Sequence, residues 1–169
     1  MSRVFEEKQR FNQWWLQLMN IGLLAFLGYC AYSWFIKESS TGNVAADDII
    51  GQLVVIIAIL LSVGVMYIFR LETNIDEQGI RYRFLPFHRT FRNLRWNELQ
   101  NCYTRKYRPL SEYGGWGYRF GRGNGKALNV KGTYGIQTVL KDGTKILIGT
   151  QRPEEAQQVI NTYFQNERV

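Results

Sequence analysis

IIGQLVVIIAILLSVGVMYIF, residues 49–69, runs for 21 positions without a charged side chain. At about 1.5 Å per residue, a helix of that length covers about 30 Å, the thickness of a bilayer's hydrocarbon core. The stretch therefore reads as a transmembrane helix, and it divides the chain. A second apolar segment and a short polar loop precede it; one basic, strand-rich region follows it from Arg70 to the end.

Residues 1–10 read as a short charged arm, and residues 11–36 contain no charge at all. Trp14, Trp15 and Trp34 bracket this second apolar segment at the spacing of an aromatic belt, so they are the expected membrane-interface anchors. The run is too long for the apolar part of a signal peptide and no A-x-A site follows it, which favours a retained helix. Tyr29 before Cys30 is too bulky for a lipoprotein cleavage site. Residues 37–48, KESSTGNVAADD, form the loop and hold one basic residue, whereas the arm holds three and Arg70, Arg81 and Arg83 follow the second helix. The positive-inside bias then puts both termini in the cytoplasm and the loop outside.

Gln17 and Asn20 share a helix face and Gln52 lies at the other end of the hairpin. Interfacial placement or helix contact accounts for them better than a transport path does. Gly22, Ala25 and Gly28 thin one side of the first helix, and Ala58 and Ser62 form a small-xxx-small pair on the second. These five are the expected packing residues, either within the hairpin or between protomers.

Beyond Arg70 the period shortens. Ile80, Tyr82 and Phe84 alternate with Arg81 and Arg83, the pattern of a strand with one wet face. Further strands are expected at residues 91–96, 101–108, 118–120, 126–130, 136–140 and 145–150. The Asp142-Gly143 pair predicts a two-residue hairpin turn between the last two. Ala156, Val159, Ile160, Tyr163 and Phe164 then fall on one helical stripe, with Pro153, Glu154 and Glu155 suited to its first turn. About seven strands closed by one amphipathic helix is the expected arrangement.

That arrangement resembles the pleckstrin-homology (PH) superfold. The stretches Tyr107-Arg-Pro-Leu-Ser-Glu-Tyr-Gly-Gly-Trp-Gly-Tyr-Arg119 and Ile148-Gly-Thr-Gln-Arg-Pro-Glu-Glu-Ala156 resemble a group of small bacterial membrane proteins in which two N-terminal transmembrane helices precede a PH-like domain. The resemblance implies an α+β membrane protein: a two-helix hairpin, then a PH-like curled antiparallel β-sheet or barrel capped by a C-terminal α-helix, in the bacterial inner membrane. It implies no activity. The first hairpin turn, Asp76-Glu77-Gln78-Gly79, would repel phosphate where inositol-lipid binders are basic.

Chemistry is sparsely signalled. Gly121-Arg-Gly-Asn-Gly125-Lys126 lacks the spacing of a P-loop or of a dinucleotide fingerprint, and reads as a hairpin loop. His88 is the only histidine; Cys30 and Cys102 lie in different parts of the chain, and no cysteine–histidine spacing suggests zinc. The carboxylate pairs Asp76/Glu77 and Glu154/Glu155 have turn and helix-start roles. We therefore expect neither an enzyme nor a cofactor.

Net charge is +7, and between Arg81 and Lys131 there are 12 Lys/Arg and only two acids. Arg81, Arg83, Arg105, Lys106, Arg108, Arg119 and Arg122, with Trp116 and Tyr118 of the glycine-rich YGGWGY stretch, are the candidate contact residues. Held beneath an anionic leaflet, such a band would meet lipid headgroups non-specifically or an acidic partner. A subunit role in a larger membrane complex, or a homo-oligomer, is the alternative. A membrane-tethered nucleic-acid contact ranks third, because no helix-turn-helix or RNP signature accompanies the basic aromatics.

Overall fold

The computed structural model describes residues 4–121 and 123–164, and the chain divides into two compact units. One is Phe11–Ile68; the other is built from the residues up to Arg10 together with those from Phe69 onward.

The helical unit consists of α1, Trp14–Phe35, and α2, Ile49–Ile68, both long and apolar enough to cross a membrane. Its polar residues serve the ends of the helices. Gln52 donates to the Ala45 and Ala46 carbonyls at 3.2 and 2.8 Å, and the Asp48 carboxylate accepts the Gly51 N–H at 2.9 Å, capping α2. The Tyr67 hydroxyl donates to Gln17 Oε1 at 3.2 Å. Asn20 is buried with its Oδ1 unpartnered among the described residues.

Two sequence expectations are narrowed in this unit. Gly22, Ala25, Gly28, Ala58 and Ser62 all lie on exposed faces, and a Cβ added at Gly22 or Gly28 would meet nothing within 4 Å, so they do not form the hairpin seam. Leu16, Cys30, Trp34 and Ile59 are the buried apolar side chains instead. Trp14 is 74% and Trp15 47% exposed, but Trp34 is only 3% exposed and turns inward rather than outward as an anchor.

The β-rich unit holds two sheets. The first runs β1-β2-β3-β4, all antiparallel, from Phe5–Arg10, Arg70–Asp76, Gly79–Leu85 and Arg92–Arg95. The second runs β5-β8-β9-β7-β6, from Leu99–Lys106, Tyr134–Leu140, Lys145–Gly149, Gly125–Asn129 and Gly117–Gly121. A short helix α3, Pro109–Tyr113, follows β5, and α4, Pro153–Phe164, follows β9. Among the described residues nine strands replace the expected seven or so, in two open sheets rather than one closed barrel. The arrangement is not wholly antiparallel either: β7 lies parallel to β9, because the β6–β7 hairpin is added on the far side of β9 from β8.

The first strand is the main addition. Residues expected to be a charged arm pair with β2 over six positions, from Phe5 opposite Ile75 to Arg10 opposite Arg70. Phe5, Glu7 and Gln9 point inward. Glu7 and Gln9 are satisfied by the turn between β9 and α4: Gln9 donates to the Gly149 carbonyl at 2.7 Å, and Glu7 accepts the Thr150 hydroxyl at 2.7 Å and the Gln151 N–H at 2.9 Å. Arg152 lies over the Phe5 ring, 4.7 Å from its centroid, and pairs with Glu155 at 2.9 Å. The stretch from Ile148 to Ala156 is therefore the clamp that holds the N-terminal strand.

In α4 the residues Ala156, Val159, Ile160 and Phe164 are buried along the predicted stripe, and Phe164 meets Trp96 at 5.9 Å between ring centroids. Between β8 and β9 the turn differs in detail from expectation. Leu140 N–H bonds the Thr144 carbonyl and Gly143 N–H bonds Leu140, so three residues intervene and only Gly143 adopts positive φ.

Candidate interaction surface

Sheet register decides which of the expected contact residues are available. Arg83 lies opposite Glu72 in the β2–β3 ladder and bonds its carboxylate at 2.7 Å, while Arg70 approaches the same group at 3.4 Å. Arg83 also covers the Phe91 ring at 4.5 Å. Arg81 bonds Asp76 at 2.6 Å. On β5, Arg105 bonds Glu112 at 2.8 Å, Gln137 at 3.1 Å and the Tyr113 hydroxyl at 3.4 Å. The Arg105 bond, more than the Arg108 N–H that Glu112 also accepts, holds the Glu112 carboxyl below its usual range against the opposing effect of partial burial. Three of the seven arginines and lysines expected in the band are thus neutralised in place.

Lys106, Arg108 and Arg119 are exposed, and Arg119 Nε donates to the Trp116 carbonyl at 3.1 Å. Trp116 is half-buried, its indole N–H bonded to the Gly132 carbonyl at 3.1 Å. Arg122 lies outside the described residues. The YGGWGY stretch otherwise serves packing. Asn129 donates to the Tyr107 hydroxyl at 2.9 Å and accepts the Gly117 N–H at 2.8 Å, and burial pushes the Tyr107 hydroxyl up to about 12.

Tyr118 belongs to a different grouping, which the sequence did not signal. Phe69, the residue after α2, meets Phe84 and Phe87 at 6.0 and 5.9 Å between ring centroids. Phe87 stacks on Phe84 at 6.0 Å and on Tyr118 at 5.3 Å, and Tyr118 meets Phe120 edge-on at 5.4 Å. His88 sits beneath this row, edge-on to both Tyr82 and Tyr118 at 5.9 and 5.5 Å. Its Nδ1 has no partner among the described residues. Burial, then the nearby Arg92 and Lys126 charges, lower the imidazole's proton affinity. Phe87 and Phe120 are 56% and 66% exposed, and the Lys126 ammonium lies 5.8 Å from the Phe120 ring centroid.

Cys102 is buried and its thiol is pushed up to about 12, far from the thiolate a nucleophile needs. Among the described residues no group of three or more histidine, cysteine or acidic side chains could hold a metal ion. Compared with known proteins, the chain matches no family model and no curated sequence.

Proposed function

We propose that this chain is a membrane-anchored interaction module without catalytic activity. In this reading α1 and α2 form a transmembrane hairpin in a bacterial inner membrane. The β-rich unit, a PH-like domain, stands on the cytoplasmic side with its basic surface toward anionic headgroups or an acidic partner. The observation that carries the reading is the pairing of β1 with β2. The chain leaves the sheet after Arg10 and rejoins it opposite that residue at Arg70, so both ends of the hairpin must emerge on one side of a bilayer. The basic excess of the β-rich unit makes the cytoplasmic side the preferred one. Two sheets followed by one C-terminal helix support the PH-like comparison.

Protease added to intact cells, and then to inverted membrane vesicles, tests this. The reading expects tags at both termini to survive the first treatment and to be removed in the second. Removal of either tag from intact cells would overturn it.

A second reading, an accessory subunit of a larger inner-membrane complex, draws on the exposed faces of the helices that carry Gly22, Ala25, Gly28, Ala58 and Ser62. Mass measurement after solubilisation in mild detergent separates the two, since a lone monomer or dimer disfavours the subunit role.

A further inference from the structure

Single exposed apolar side chains are ordinary on protein surfaces; a connected row of them is not. The exposed Phe87 and Phe120 are joined ring to ring through the half-buried Tyr118, and the row begins at Phe69, where the second apolar helix ends. Every step along it is 6.0 Å or less, so contacts within the β-rich unit tie the exposed rings to the start of that unit's second strand. Beside the row stand Arg92, opposite Tyr82 in the β3–β4 ladder, and Lys126, opposite Phe120 in the β6–β7 ladder. Unlike Arg81, Arg83 and Arg105, neither has a carboxylate partner among the described residues.

We infer that Phe87, Tyr118, Phe120, Arg92 and Lys126 form the surface by which the β-rich unit rests on anionic phospholipid headgroups. The inference deepens the membrane-anchored reading and rests on it. Aromatic rings favour the zone between headgroup and acyl chain, and cations beside them gain from the anionic leaflet. The geometry also separates this occupant from a nucleic acid. Bases stack on open ring faces, but Phe87 already stacks on both Phe84 and Tyr118, at interplanar angles of 13° and 23°. A ring already engaged in two stacks suits insertion among lipids better than base stacking.

The test uses the full chain with Phe120→Cys, labelled with an environment-sensitive fluorophore; the native cysteines are both buried and do not compete for the label. The protein is reconstituted in phosphatidylcholine vesicles with and without phosphatidylglycerol. Blue-shifted emission, quenched by lipids brominated near the headgroup, is expected in the anionic vesicles. The shift should shrink with added salt and with Arg92→Glu combined with Lys126→Glu, two changes that alter neither Phe87 nor Tyr118. An aqueous spectrum in both lipid mixtures overturns the assignment, as does a shift that appears only when an acidic peptide is added. Washing the vesicles with alkaline carbonate distinguishes the two levels. A chain released by the wash sinks the membrane reading itself, whereas a retained chain with an aqueous probe sinks only this surface.

Discussion

The Glu7 carboxylate accepts the Thr150 hydroxyl at 2.7 Å, joining the first strand of the β-rich unit to the turn that opens its last helix. Both residues are buried, and Gln151 supplies a second donor to the same carboxylate. Thr150→Val keeps the shape and removes one donor from a buried charged acceptor. We expect a loss of about 1.5–3 kcal/mol, read from denaturant unfolding of the full chain in detergent. Thr150→Ser should recover most of it.

Glu72 joins Arg70 and Arg83 on the first sheet while itself being almost fully buried. Glu72→Ala strands the Arg83 guanidinium and should lower stability by about 1.5–3 kcal/mol. Arg70→Ala removes a more exposed and longer contact, so its effect should stay within about 1 kcal/mol. Equal losses in the two variants would show that Glu72 is not held chiefly by Arg83.

Gly121 ends β6 against α3. A Cβ there would fall 2.7 Å from the Glu112 carbonyl oxygen and 2.8 Å from the Tyr113 ring. Backbone cannot yield as a side-chain tip does, so Gly121→Ala should cost about 1–3 kcal/mol by overpacking. Gly114→Ala, where the added atom meets nothing within 4 Å, separates crowding from the cost of positive φ. The thermal midpoints of the two variants make the comparison.

His88 predicts a pH dependence with a definite sign. Its proton affinity is lowered in the fold, so below the ordinary imidazole value of 6.5 the unfolded chain takes up the proton first. Stability should therefore fall as pH drops through 6.5 toward the lowered native value, and be fully present above it. Thermal unfolding followed from about pH 7.5 to about pH 5.5 should show this slope, and His88→Gln should lack that part of it. The Glu112 contribution begins to be lost only lower, as pH approaches 4.5. An unchanged slope in His88→Gln would remove the imidazole from the account.

The sequence revealed those elements whose inward residues are apolar. Strand β3 shows its alternation openly through Ile80, Tyr82 and Phe84, and α4 shows its stripe. The first strand was hidden because two of its three inward residues, Glu7 and Gln9, are polar and find their partners about 140 positions away. The basic band looked freer than it is for a similar reason. Arg83 and Glu72 are 11 positions apart in sequence yet face each other across a ladder. The aromatic row left no trace in any local pattern, since Phe69, Phe87 and Tyr118 come from three separate places in the chain. Only the fold makes neighbours of them.

Strand pairing on either side of the apolar helices also orders biosynthesis. Phe5–Arg10 is translated before both helices, and its strand neighbour among the described residues, Arg70–Asp76, after them. In a chain whose helices enter the bilayer as they emerge, the opening segment must wait unpaired on the side of synthesis. For the transmembrane hairpin proposed above, closing that ladder requires both crossings, since a hairpin inserted only halfway would leave the two strands on opposite sides of the membrane.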